Sequence, residues 1–258
     1  MNERRAAFKA ERAAMLEFCE SLGPAEWRMD SRAAGWSIKD VVAHMAAGFH
    51  AMFSPSAVKL MRGNDIERAN DDMVGARHDR PPAEVFGEYR RWSRAFGGLV
   101  PMLTGSPAGR IRMPLAELGR FPARLLVSAM VFDHHTHLRH DMAPALGRPI
   151  PATDANRMAA VCEWMIAVLD NQLLAAPNPA LDRPVSLTLT GPGGGSWLVA
   201  PAGEITAGVT EPAAAHITGV ALEFPEWGTR RASWRDRDVH ITGDAGYGAA
   251  FLDAVNIV

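Results

Sequence analysis

Cysteine is nearly absent. Cys19 and Cys162 are the only two in 258 residues, far apart and outside any C-x-x-C spacing, so neither a disulfide framework nor a paired-thiolate site is expected, and both read as buried thiols of a cytoplasmic protein. Charge of one sign is lacking too. Lys and Arg number 27 against 29 Asp and Glu, the net charge is -2, and no basic block is present, so no nucleic-acid or anionic-lipid partner is expected. No stretch reads as the ~18 apolar residues of a membrane span, and the segment from Met1 to Arg5 leads into a charged amphipathic helix rather than a signal-peptide core. Glycines 193 to 195 have no strand–G-x-G-x-x-G–helix or G-K-[ST] context, which argues against a nucleotide loop.

What the chain does have is a 48% hydrophobic content, enough for a large core and two domains, and a concentration of histidine. Four of its nine histidines fall in the seven positions from His134 to His140. The uncharged run from Leu125 to Phe132 precedes them, so the pattern predicts a helix that begins near Phe121-Pro122, carries into the cluster and ends at Ala143-Pro144. On that helix Leu126, Met130, Asp133 and His137 share one stripe, because residues three and four apart are neighbours. A carboxylate and an imidazole on a core-facing stripe require a partner. A divalent metal is one, since an i, i+4 pair can converge on a single ion with donors at roughly 2.0–2.2 Å. The plainer reading is an Asp that orients a His, with the other histidines facing water. His134, His135 or His140 could also replace Asp133 or act as a base behind it.

Before the cluster, the spacing predicts a first helix over about residues 3 to 22, with Phe8, Met15, Phe18, Cys19 and Leu22 buried and Gly23-Pro24 stopping it. A polar connector with Trp27 and Trp36 follows. Ser37 and Asp40 then read as a capping box opening a second helix, which carries His44 inside an apolar segment, as a core histidine or as a ligand. A third helix is predicted from Pro81-Pro82 to Pro101, with an aromatic stripe for the core. Residues 63 to 80 and 104 to 119 read as long loops, and His50 and His78 as solvated. After the cluster, a long helix at about 154 to 175 leads, past Pro177-Asn178-Pro179, into alternating strands at 185–190, 196–199 and 203–209. Two similar segments, Ala215–Gly219 and Val239–Gly243, each read as a strand ending in a Gly turn, and a helix at about 246 to 255 closes the chain.

The segment Gly35-Trp36-Ser37-Ile38-Lys39-Asp40-Val41-Val42-Ala43-His44-Met45 resembles the G-W-S-x-K-D-V-x-x-H-L signature of the mycothiol-dependent maleylpyruvate isomerase N-terminal domain, a branch of the DinB-like metal-binding four-helix bundles. Ala145-Leu146-Gly147-Arg148-Pro149 resembles the A-L-G-R-P tail that often closes that domain. The resemblance implies that His44 is a metal ligand and that a later helix supplies two more, as an E-x-x-x-H pair in the family. Asp133 and His137 hold the corresponding positions here, with a carboxylate shorter by one methylene. The C-terminal part resembles the domain that accompanies such bundles and is similar in fold to sterol-carrier proteins. That family's catalytic arginine would correspond to Arg230 or Arg231.

The expected fold class is thus α+β: a DinB-like four-helix bundle over residues 1–150, then a small mixed α/β domain over 151–258 led in by a long helix. Three protein ligands would leave zinc an open position for substrate, and imidazole donors suit zinc, nickel or another late first-row metal better than hard cations. The resemblance makes mycothiol the expected co-substrate and a small anionic electrophile the substrate, in a thiol-using isomerase or transferase. Such a metal would help deprotonate the thiol, and the arginine would hold a substrate carboxylate. The alternative is a metal-binding or ligand-binding module without turnover.

Overall fold

The computed structural model describes residues 3–176, 181–201 and 203–257, so the Pro177-Asn178-Pro179 junction lies outside the described residues. The chain divides into two compact units, Met1–Ala152 and Thr153–Val258. Each is built around its own apolar core.

The first unit is helical. Helix α1 (Glu3–Glu20) buries Phe8, Met15, Phe18 and Cys19. Helix α2 (Ile38–Ala51) opens with the capping box, in which Ser37 accepts from the Asp40 amide while the Asp40 carboxylate accepts from the Ser37 amide. Two short helices follow, α3 (Ser56–Arg62) and α4 (Ile66–Gly75), before the long α5 (Pro82–Gly105). A hairpin, β1 (Arg112–Pro114) with β2 (Arg120–Pro122), precedes α6 (Leu125–Thr136). The chain then continues into one π-helical turn over His137–Met142. Helix α2 packs on α5, and α1 packs on both α5 and α6. These four make the bundle.

Three expectations are corrected here. The stretch from 63 to 80 holds a helix, because the Asp65 carboxylate accepts from the Arg68 amide and caps α4; Val74 is its single buried residue, so its apolar periodicity is faint. Helix α5 runs through Pro101 to Gly105, past the expected stop. Proline has no N–H to donate to the Gly97 carbonyl, so the helix gives up one backbone hydrogen bond there and still continues for another turn. Phe121-Pro122 lies in a strand, so α6 begins only at Leu125.

Buried charge pins the π-turn. Arg139 and Glu11, both almost wholly buried, form an ion pair, and the Arg139 guanidinium also donates to the carbonyls of Pro151 (3.0 Å) and Ala152 (2.9 Å). One arginine therefore ties the turn to α1 and to the chain leaving the bundle.

In the second unit, α7 (Ala155–Ala175) lies in the core with Met158, Val161, Cys162, Met165 and Leu169 buried. By length and composition α7 could cross a membrane, so the expectation that no segment is long and apolar enough does not hold. Its burial accounts for that hydrophobicity. The sheet runs β5-β4-β3-β6-β7, from β3 (Val185–Thr190), β4 (Gly195–Val199), β5 (Ile205–Ala207), β6 (Ala215–Val220) and β7 (Val239–Gly243). Strands β3 and β6 are parallel and every other pairing is antiparallel. A short helix α8 (Phe224–Gly228), absent from the sequence reading, packs against α7, and α9 (Ala245–Ala254) packs on β6 and β7. The β3–β4 turn needs Gly193: at φ +73° a Cβ would stand 2.4 Å from the Ala159 amide nitrogen of α7. Strand alternation, β3 included, was readable from period two alone.

Candidate metal centre

Helix α2, the end of α6 and the first residue of the π-turn bring His44, Asp133 and His137 together, with one donor atom from each lying within 4.8 Å of the others. The Asp133 carboxylate sits between the imidazoles: its Oδ1 is 3.0 Å from His44 Nε2 and 3.5 Å from His137 Nε2. The short aspartate side chain thus reaches both rings. Two imidazole nitrogens and one carboxylate oxygen suit a late first-row divalent cation.

The orientation of His137 is set from behind. Its Nδ1 lies 2.7 Å from Asp141 Oδ2, and Asp141 is fully buried. A carboxylate there takes the Nδ1–H, leaving Nε2 for the centre, as in metal sites whose ligating histidines are oriented by carboxylates. Asp141 was not assigned this role from the sequence, though its i, i+4 spacing to His137 repeats that of Asp133 to His137. His44 differs: its Nδ1 is buried and has no hydrogen-bond partner among the described residues. Trp36, read as a connector residue, covers the centre with its ring 5.0 Å from that of His44 and 6.2 Å from that of His137. Its Nε1–H donates to Asp71 at 3.1 Å. The connector is fastened to the π-turn where the Arg32 amide donates to the Asp141 carbonyl at 3.0 Å.

The electrostatics describe a site that attracts cations. Burial pushes the Asp133 carboxyl up, but the facing imidazoles outweigh it and hold the group well below its ordinary range. Burial also pushes His137 down, but its hydrogen bonds with Asp133 and Asp141 prevail and raise it to about 9. A divalent ion bound there would require both histidines to be neutral.

The neighbouring histidines take other roles. His134 is buried, which brings it down to about 4, and its Nδ1–H donates to the Met130 carbonyl at 2.7 Å while Nε2 accepts from the Tyr89 hydroxyl at 3.0 Å. Both of its nitrogens are thereby committed. The rings of His135 and His140 lie 6.2 Å apart, outside the three-residue group. His78 is exposed as expected, whereas His50 is not simply solvated: Nδ1 lies 3.0 Å from Glu88 and its ring stacks on Trp92 at 4.6 Å.

Arg230 and Arg231 are exposed residues after α8 in the second unit. Arg230 adopts φ +57° and its guanidinium donates to the carbonyls of Val255 (3.1 Å) and Asp253 (3.0 Å), fastening the end of α9. Arg231 donates to the Thr229 hydroxyl at 2.9 Å.

Residues 8–103 match the family model of the mycothiol maleylpyruvate isomerase N-terminal domain. The matched segment contains His44 and stops short of Asp133 and His137. The crystal structure of the mycothiol-dependent maleylpyruvate isomerase is similar over 93% of this chain and 92% of that chain, with a TM-score of 0.57 at 14% identity. A histidine-to-alanine mutant of the same enzyme gives 0.56 over the same shares, again at 14% identity. At that identity the likeness establishes the α+β fold. A sterol carrier protein 2 like 2 from Aedes aegypti covers 38% of this chain and 98% of its own at 16% identity, with a TM-score of 0.33, too low to carry an argument. No curated protein matches the chain in sequence.

Proposed function

We propose that the protein is a thiol-dependent isomerase or S-transferase, in which a low-molecular-weight thiol such as mycothiol adds to a small anionic electrophile at a divalent metal held by His44, Asp133 and His137. The observation that carries this reading is the convergence of two Nε2 atoms and one carboxylate oxygen, one imidazole being oriented from behind by a buried carboxylate. The match of residues 8–103 to the mycothiol maleylpyruvate isomerase N-terminal domain model supports it. When bound, zinc or another late first-row metal with three protein ligands keeps a position for an exogenous group and lowers the pKa of a thiol placed there.

The chain's own residues do the rest. Asp141 holds the tautomer of His137, and Trp36 shields one side of both imidazoles. Two neutral imidazoles and one carboxylate leave a divalent ion net positive, which favours anionic reactants. Arg230 and Arg231 enter the proposal through the family resemblance, as groups for the substrate carboxylate; Arg230 donates to two carbonyls and Arg231 to the Thr229 hydroxyl. Replacing Arg231 with Ala is expected to weaken binding of an anionic substrate and leave metal content unchanged.

Cobalt substitution tests the reading. Adding mycothiol should produce a thiolate-to-cobalt charge-transfer band, and the loaded protein should turn over a cis-configured unsaturated keto acid only when the thiol is present. If no low-molecular-weight thiol perturbs the cobalt spectrum at millimolar concentration, the thiol reading fails, and a metal-binding module without turnover takes its place.

A further inference from the structure

The first unit carries a concavity that the metal centre does not use. Helices α1 and α5 diverge around a cavity of about 330 Å³, at the lower end of the ~300–1,000 Å³ range of small-molecule sites. Its rim is cationic: Arg5, Lys9 and Arg12 from α1 face Arg94 from α5. Positions 5, 9 and 12 fall on one helical face by their i, i+4, i+7 spacing. Arg12 is anchored, donating to the Ser93 hydroxyl at 2.8 Å and to the Arg90 carbonyl at 3.2 Å. Among the described residues no carboxylate pairs with Arg5, Lys9 or Arg94. Elsewhere on the same two helices Arg90 and Glu20 lie 3.8 Å apart.

Below the cations the floor is apolar. Phe8 and Val100 are buried and contribute to the lining, and Phe8 is held edge-on by Phe96 at 5.2 Å and Phe49 at 6.0 Å. Gly97 keeps the groove open. A Cβ built there would meet only the Phe8 ring, at 3.5 Å, an ordinary contact, so a side chain could occupy the space without disturbing the backbone. Unmatched like charges within a screening length of about 8 Å repel one another, and an anion seated among them relieves that repulsion.

We propose that this groove binds an organic acid, with the carboxylate among Lys9, Arg94 and Arg5 and an alkyl or aromatic body over Phe8, Gly97 and Val100. A fully polar anion leaves the apolar floor wet, and a neutral apolar molecule leaves the cations unmatched. The occupant must supply both. None of these residues belongs to the His44–Asp133–His137 group, so the site stands or falls separately from the proposed reaction.

Calorimetric titration of the metal-loaded full-length protein with octanoate, acetate and 1-octanol tests it. Octanoate should bind at least tenfold more tightly than either of the others, which share only its charge or only its body. Gly97→Leu should fill the groove, and Lys9→Gln with Arg94→Gln should discharge its rim; each should weaken octanoate binding tenfold or more. The surface charge variant keeps the test valid if the leucine is not tolerated. His44→Ala should leave octanoate binding unchanged. The proposal is overturned if acetate or octanol binds as tightly as octanoate, if the discharged rim binds octanoate normally, or if His44→Ala abolishes the binding.

Discussion

Helix α2 presents two histidines, and each lies 3.0 Å from a carboxylate: His44 from Asp133, His50 from Glu88. The two pairs look alike in isolation, yet their surroundings complete them differently. Around Glu88 the positive charge is supplied by the protein. Arg77 donates to both of its oxygens at 2.7 and 3.0 Å, Arg80 adds a contact at 3.1 Å, and Trp92 covers the imidazole. Around Asp133 the neighbours are imidazoles, with a second carboxylate, Asp141, behind one of them. Two arginines close the first pair, whereas the second collects two carboxylates and two histidines and calls for a cation from outside. A His–carboxylate contact is therefore no metal signal by itself. What separates the two is whether the chain has already provided the positive charge.

Breaking each pair should expose the difference. The largest effect is expected from His44→Ala, which should abolish retention of a divalent metal through dialysis, as read by elemental analysis, while helical circular dichroism is kept. His50→Ala should leave metal content untouched; equal loss in both variants would erase the distinction. Next comes Glu88→Ala, which strands the buried Arg77 and should cost about 3–5 kcal/mol of unfolding free energy in urea, as for other buried pairs stripped of one partner. Its metal content should not change.

A smaller effect separates the ligands from their support. Asp141→Asn should weaken metal affinity by about 10–100-fold, measured by chelator competition, without altering the stoichiometry. A lost site would show that Asp141 is itself a ligand. The smallest effect concerns acid stability at the closed pair. Burial raises the Glu88 carboxyl, but the hydrogen bonds and charge of Arg77 outweigh it and leave the group below its ordinary value. A depressed carboxyl contributes stability that is present above its unfolded pKa and lost as pH falls through the folded value. Glu88→Gln should thus flatten the decline in stability below about pH 4.5, near the ordinary value for glutamate, in denaturant titrations across pH. An unchanged decline would assign acid sensitivity to other carboxylates.

What the sequence alone could determine here rests on short-range physics. The Ser37–Asp40 box, the i, i+4 relation of Asp133 to His137, the period-two strands and the apolar face of α7 all arise within a few residues, where helix and strand geometry dictate which side chains are neighbours. The signature around His44 pointed to its place in the centre only through resemblance, since position 44 by itself favoured a core histidine. Tertiary packing decided what depends on distant partners. His44 meets Asp133 across 89 positions and Arg139 meets Glu11 across 128, and neither pairing leaves a trace in local periodicity. The π-turn repeats no sequence pattern; it is held by the Arg139 anchors and by the Arg32 amide on Asp141. His50 shows the same limit. Only when α2 packs on α5 does Glu88 arrive with Arg77 beside it, and a histidine read as solvated becomes part of a closed ion cluster. The charge that completes a buried group is contributed by whichever element lands against it, and that is settled by the packing of the whole bundle.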